Sequence, residues 1–113
     1  MRIYIAGPMR GIEFYNFPAF DATKKFLEGN GHTVVSPADI DRSLGHNPLE
    51  SEDQDWNEFP DCLTLKNTIL RDVVAILDCD AVWLLQGWEN SKGATAERAI
   101  ADWAGKEILG IGV

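Results

Sequence analysis

The sequence encodes an α/β fold: an open parallel sheet of four to five strands, flavodoxin- or Rossmann-like, with helices on both faces. Short apolar runs closed by Gly or Pro alternate along the chain with segments of helical periodicity, and that alternation argues for parallel strands joined by crossover helices. One run, Ala81 to Leu85, is continuously apolar, as a strand buried on both faces must be. The 113 residues hold no internal repeat, low-complexity tract or Gly/Ser linker, so residues 1–113 are expected to form a single domain.

Ile3 to Ala6 is the first strand, ended by the Gly7-Pro8 turn. Asn16 is placed to cap the helix that follows, with Pro18 in a first turn where a missing N–H costs nothing. Phe17, Phe20, Phe26 and Leu27 recur at helical spacing until Gly29-Asn30-Gly31 stops the helix. His32 to Val35 is the second strand, ended by Ser36-Pro37. Residues 39–61 carry eight acidic side chains without clear periodicity and read as a solvated acidic loop or lid; no EF-hand spacing is present. From about Asp61 to Leu77 the pattern is helical, with Leu65, Ile69, Val73 and Ile76 in one stripe widened by Leu70 and Leu77. After the Ala81–Leu85 strand comes a Gly-bracketed loop, Gly87 to Gly93. Ala96, Ala99, Ile100 and Trp103 then mark a helix ending near Gly105, and Ile108, Leu109 and Ile111 form the last strand. The expected strand order is 2-1-3-4. In such sheets a ligand sits beyond the carboxyl ends of the strands where the order reverses, which nominates Gly7–Gly11 and Gln86–Gly93.

Charge and composition exclude several classes. Ten Lys and Arg against eighteen Asp and Glu give a net charge of -8, which disfavours a polymeric nucleic acid partner. No run of eighteen apolar residues exists, so no membrane span is expected, and the amino terminus lacks a signal peptide's apolar region. Cys62 and Cys79 have no CxxC spacing and suit a reducing, cytoplasmic setting as buried small hydrophobes. His32 and His46 lack an HxxxH partner and no GxSxG elbow occurs, so neither a metal nor a serine triad is indicated, and no cofactor is required.

Two carboxylates break their own patterns. Glu97 lies in the opening turn of the last helix, and at about 100° per residue it falls beside the Ala96–Ile100–Trp103 stripe. Free N–H groups at the helix start favour the ionised form there, as a carboxylate nucleophile requires; a glutamate in a first turn is also ordinary helix chemistry. Asp72 falls at the edge of the Leu65–Ile69–Ile76 stripe, where a carboxyl tends towards a raised pKa and can act as a general acid. A small rotation of the helix would make it a surface residue. Arg71 is expected to point away from it. Asp80 reads as a helix-to-strand turn residue. In the nominated loops, Gly7 and Gly11 permit close backbone approach and Arg10 can reach a phosphate or carboxylate. Trp88, Ser91, Lys92 and Gly93 offer an indole, a hydroxyl, an ammonium and a helix start, which suit a small phosphorylated, base-bearing ligand. Neither loop is GxGxxG or Walker A.

The Ile3-Tyr4-Ile5-Ala6-Gly7-Pro8 opening, the Asp72 helix, Asp80 before an apolar strand and Ser91-Lys92-Gly93-Ala94-Thr95-Ala96-Glu97 together resemble the nucleoside 2-deoxyribosyltransferase superfamily. The likeness is greatest to small members of phages and bacteria and extends to the 2'-deoxynucleoside 5'-phosphate N-hydrolases. The resemblance implies Glu97 as nucleophile at the sugar's anomeric carbon, with Asp72 contacting the sugar or assisting the departing base. It implies Ser91 as a 5'-phosphate ligand, although Pro8 stands where the hydrolases have a serine. The implied reaction is N-glycosidic cleavage of a 2'-deoxynucleoside 5'-monophosphate, by hydrolysis or base exchange, with Tyr4 or Trp88 stacking on the base. The implied partners are a nucleotide or nucleoside and further copies of the chain, as a homodimer or higher homo-oligomer. A non-catalytic nucleotide-binding module on the same fold is the alternative.

Overall fold

In the computed structural model, residues 1–50 and 64–110 are described; Cys62, Asp61, Ile111 and the acidic positions 52–58 lie outside them. The chain runs β1 (Arg2–Ala6), α1 (Phe17–Gly29), β2 (Thr33–Val35), α2 (Pro37–Ser43), α3 (Leu65–Leu77), β3 (Ala81–Leu84), α4 (Lys92–Trp103) and β4 (Glu107–Gly110). The four strands form one sheet in the order β2-β1-β3-β4, every pairing parallel. This is the expected flavodoxin-like order, with four strands among the described residues.

Alternation along β1 divides the core. Ile3 and Ile5 face one side with Phe17, Phe20 and Leu27 of α1 and Ala38 of α2. Tyr4 and Ala6 face the other, with Ile76 of α3, Val82 and Leu84 of β3 and Ala101 of α4. The strand order reverses between β1 and β3, so their following loops share one end of the sheet. They abut there. Leu85 N–H donates to the Ala6 carbonyl at 2.9 Å, and a Cβ on Gly7 would stand 2.7 Å from Leu85 Cβ, which is why this position holds glycine.

Three elements differ from expectation. Part of the supposed acidic loop is helix α2: Pro37 opens it, where its fixed φ suits a first helical position. Its acids are held as well, with Lys24 Nζ 2.6 Å from Asp39 and Arg42 Nη1 bridging Asp21 at 2.9 Å and Asp39 at 3.0 Å. Asn16 precedes α1, but its side chain does not cap that helix; its Nδ2 donates instead to the Pro8 carbonyl at 2.9 Å. Asn16, Tyr15 and Phe14 all have left-handed φ, a conformation costing about 1–2 kcal/mol per residue, held by burial of Tyr15 against His46. The apolar stripe of α3 is mostly uncovered: only Ile76 is buried, while Leu65, Ile69, Leu70, Val74 and Leu77 are 50–60% exposed. Periodicity shows that a helix face is apolar, not that the same chain covers it. No helix among the described residues is long and apolar enough to cross a membrane.

Candidate active site

The site is built around Tyr4, at the centre of β1. Its ring is fully buried, flanked by Val35 on β2 and Val82 on β3. Its hydroxyl donates a hydrogen bond to Glu97 Oε2 on α4, and the Asp72 charge on α3 also acts on the phenol. Burial and the two carboxylates raise the Tyr4 pKa, so the phenol remains a donor.

Glu97 reaches Tyr4 because of the stripe it occupies. Ala94 and Ala101 are the buried positions of α4, and they lie three before and four after Glu97. The inward face is therefore Ala94–Glu97–Ala101, whose small side chains let the helix approach the sheet. The Ala96–Ala99–Trp103 side faces outward, with Trp103 90% exposed. The expectation of an ionised Glu97 in the first turn is corrected on both counts. Lys92 opens α4, so Glu97 is the sixth residue, beyond the reach of the helix's free N–H groups. Burial first, and then the Asp72 charge, push its carboxyl up to about 8, against the opposing pull of Tyr4 and Arg71.

Asp72 is largely buried beside it, and burial raises its pKa too. Contrary to expectation, Arg71 does not point away: its Nε and Nη2 both lie 3.0 Å from Asp72 Oδ1. The long side chain curls back along the helix surface, a reach that Cβ directions alone do not reveal. Nη2 also lies 2.9 Å from Oδ1 of Asp41, a buried α2 carboxyl pushed up to about 6 by burial against the pull of Arg71. Burial thus pushes the Glu97 and Asp72 carboxyls towards their protonated forms, and the charge of Asp72 adds to the shift of Glu97.

The loop residues are arranged less simply. Tyr4 cannot stack on a base, because no face of its ring is exposed. Trp88 is half-buried against the Tyr4–Ile76–Val82 cluster, with the Arg98 guanidinium 5.4 Å from its ring centroid. Ser91 caps α4, its Oγ accepting from Ala94 N–H at 3.2 Å; capping uses an acceptor lone pair and not the O–H. Lys92 and Gly93 form the exposed first turn of α4, and Arg10 and Gly11 lie exposed in the β1 loop, Gly11 with φ 86°. Asp80 plays the turn role, its Oδ2 accepting from Arg2 N–H at 2.8 Å. Among the described residues, no group of three or more His, Cys, Asp or Glu could hold a metal ion.

Sequence reasoning missed Arg71 and Asp41 as parts of the cluster and offered Tyr4 only as a second choice to Trp88 for stacking on a base. The available signal for Tyr4 was strand parity. It shares the face of Ala6, and that face meets α3 and α4.

A family model described as "Domain of unknown function (DUF4406)" matches residues 1–110. Among curated proteins none matches the sequence. Among solved structures, a 2-deoxyribosyltransferase from the psychrotolerant bacterium Bacillus psychrosaccharolyticus is similar, with a TM-score of 0.65 at 20% identity over 97% of this chain and 71% of that one. At that identity the likeness is one of fold.

Proposed function

We propose that this chain, which belongs to the DUF4406 family, cleaves the N-glycosidic bond of a 2'-deoxynucleoside 5'-monophosphate through a covalent intermediate on Glu97. The observation that supports this most is the Glu97 carboxyl held at the buried Tyr4 hydroxyl, with the Asp72 carboxyl near enough for its charge to act on it. Two neighbouring carboxyls that share a proton suit a retaining displacement at an anomeric carbon, where one attacks and the other protonates the leaving group. The similarity of fold to a 2-deoxyribosyltransferase agrees with that reading.

The step balances as follows. With the shared proton on Asp72, the Glu97 carboxylate bonds to C1' as the C1'–N bond breaks, and the base leaves with the Asp72 proton. Asp72, now ionised, takes a proton from water as that water attacks C1'; the ester bond breaks, releasing deoxyribose 5-phosphate and restoring Glu97. A second free base in place of water gives exchange. Ser91 O–H, Lys92 and the N–H groups at Gly93 would hold the 5'-phosphate at the start of α4, with Arg10 and the Gly7–Gly11 backbone opposite. Trp88, partly exposed in its loop, is the ring offered to the base.

The chain would act as a homodimer through the outer faces of α3 and α4. Leu70, Val74 and Leu77 on one helix and Trp103 on the other expose large apolar surface, and these are the helices that carry Asp72 and Glu97. The uncharged character of those positions suits a self-complementary contact with a second copy.

One observation favours a binding module that does not cleave. A Glu97 carboxyl held near 8 is mostly protonated at neutral pH, and a protonated carboxyl is a poor nucleophile. Incubation with each 2'-deoxynucleoside 5'-monophosphate, followed by chromatography for free base, separates the two. Base release that disappears in Glu97→Ala supports the enzyme. Nucleotide binding without base release supports the module.

A further inference from the structure

Behind the carboxyl pair lies a second layer of charge that the proposed reaction does not use directly. Arg71 Nη2 bridges two carboxylates from different elements, Asp41 of α2 at 2.9 Å and Asp72 of its own helix at 3.0 Å. Asp41 is only 5% exposed. An isolated carboxylate in such a place would be strongly unfavourable, and the Arg71 guanidinium 2.9 Å away offsets that cost.

We infer that Asp41 and Arg71 act as a positioning pair for Asp72, a guanidinium anchored from α2 that fixes the α3 carboxyl on the side of the sheet where Tyr4 meets Glu97. The consequence for catalysis rests on the glycosidic reading; the geometric role does not. A guanidinium is planar and always charged, so it fixes the direction of the Asp72 carboxyl as well as its field. Asp72 then faces Arg71 on its own helix, Tyr4 on β1, Glu97 on α4 and, across Arg71, Asp41 on α2. Asp41 faces Arg71 and Asp72, with His46 Nδ1 3.9 Å away; burial lowers the His46 pKa and keeps that ring neutral. Arg71 thus supplies the cationic charge in contact with both aspartates. It favours the ionised form of Asp72, which the burial of that carboxyl opposes. Asp41 takes up part of the same cation's field.

The test is a carboxyl ¹³C NMR titration of the full chain labelled at aspartate, with the Asp72 signal assigned from Asp72→Asn. In Arg71→Gln the Asp72 midpoint should rise by about one pH unit or more, as expected when an adjacent opposite charge is lost. Arg71→Lys should restore much of the difference. Asp41→Asn keeps an acceptor for Arg71 but deletes a negative charge, so the midpoint should fall below that of the wild type. In turnover, Arg71→Gln should lower kcat with little change in KM and move the pH profile with the titration. An Asp72 midpoint that stays at the wild-type value in Arg71→Gln overturns the inference, as does one unmoved in Asp41→Asn should Arg71→Gln fail to fold. If the wild type releases no base at all, the glycosidic reading fails while the titration still decides the pair.

Discussion

Tyr4 on β1 donates its hydroxyl proton to Glu97 on α4, ninety-three positions later in the sequence. The contact ties the central strand to the last helix and places the one buried phenol of the sheet at the one buried glutamate of that helix face. The hydrogen bond favours the ionised form of Glu97 against burial, so Tyr4 is expected to orient the nucleophile and keep it deprotonatable.

Tyr4→Phe tests that role. The phenyl ring fills the same buried space, so the fold should persist with a loss of about 1 kcal/mol for the missing hydrogen bond. Base release should fall about 10²-fold. Because the lost bond had been lowering the Glu97 pKa, the acid limb of kcat/KM should move to higher pH. Parallel thermal melts and pH–rate profiles check both parts.

Glu97 should cost the fold stability at alkaline pH. Its carboxyl titrates at about 8 in the folded chain against a usual value of 4.5, so the native state holds a proton that the unfolded chain releases. The stabilising contribution is complete below about pH 4.5 and is lost as pH rises through about 8. Glu97→Gln mimics the protonated form. Its melting temperature should match the wild type near pH 5 and exceed it increasingly towards pH 8, with a gap on the order of a few kcal/mol.

Gly93 and Gly110 should respond oppositely to alanine. A Cβ on Gly110, at φ 128°, would lie 2.3 Å from the Leu84 carbonyl oxygen, so Gly110→Ala should destabilise by about 2–4 kcal/mol. Gly93 is helical and a Cβ there meets nothing within 4 Å, so Gly93→Ala should stabilise by about 0.5–1 kcal/mol. If its backbone N–H receives the 5'-phosphate, the same change should weaken nucleotide monophosphate binding. Melting curves and calorimetric titration read the two effects separately.

Trp103→Glu should dissociate the proposed dimer. An indole 90% exposed in the single chain makes no contact whose loss would unfold it, while a carboxylate buried against a second copy would be strongly unfavourable. Sedimentation should show a dimer for the wild type and a monomer for Trp103→Glu, with the circular dichroism spectrum unchanged.

Strands and their order were legible in the sequence because parallel buried strands are apolar throughout and turn chemistry brackets them: Ile3–Ala6 before Gly7-Pro8, Ala81–Leu84 after Asp80. The helices were legible in extent but less so in rotation. On α4 the residues Ala96, Ala99 and Trp103 drew the stripe outward, while the inward face used Ala94 and Ala101, whose small side chains carry almost no hydrophobic signal, with Ile100 packed at its edge. Glu97 stood out from its place beside the stripe, but the shift of its carboxyl follows burial and not the helix end. The α2 acids read as a solvated loop because, apart from Arg42 three positions after Asp39, their partners Lys24 and Arg71 come from α1 and α3. Such pairings are tertiary, and no local periodicity encodes them. Arg71 in particular depended on side-chain reach between adjacent helix positions, where spacing rules give no guidance.

The central claim is a covalent bond between Glu97 and a deoxyribose C1', and intact-mass spectrometry of the chain quenched during reaction with 2'-deoxynucleoside 5'-monophosphates reads it directly. The account predicts an added deoxyribose 5-phosphate, mapped by peptide digestion to Glu97 and absent from Glu97→Ala, together with one equivalent of free base. Base release at equal rates from the wild type and Glu97→Ala, with no adduct on either, would contradict it.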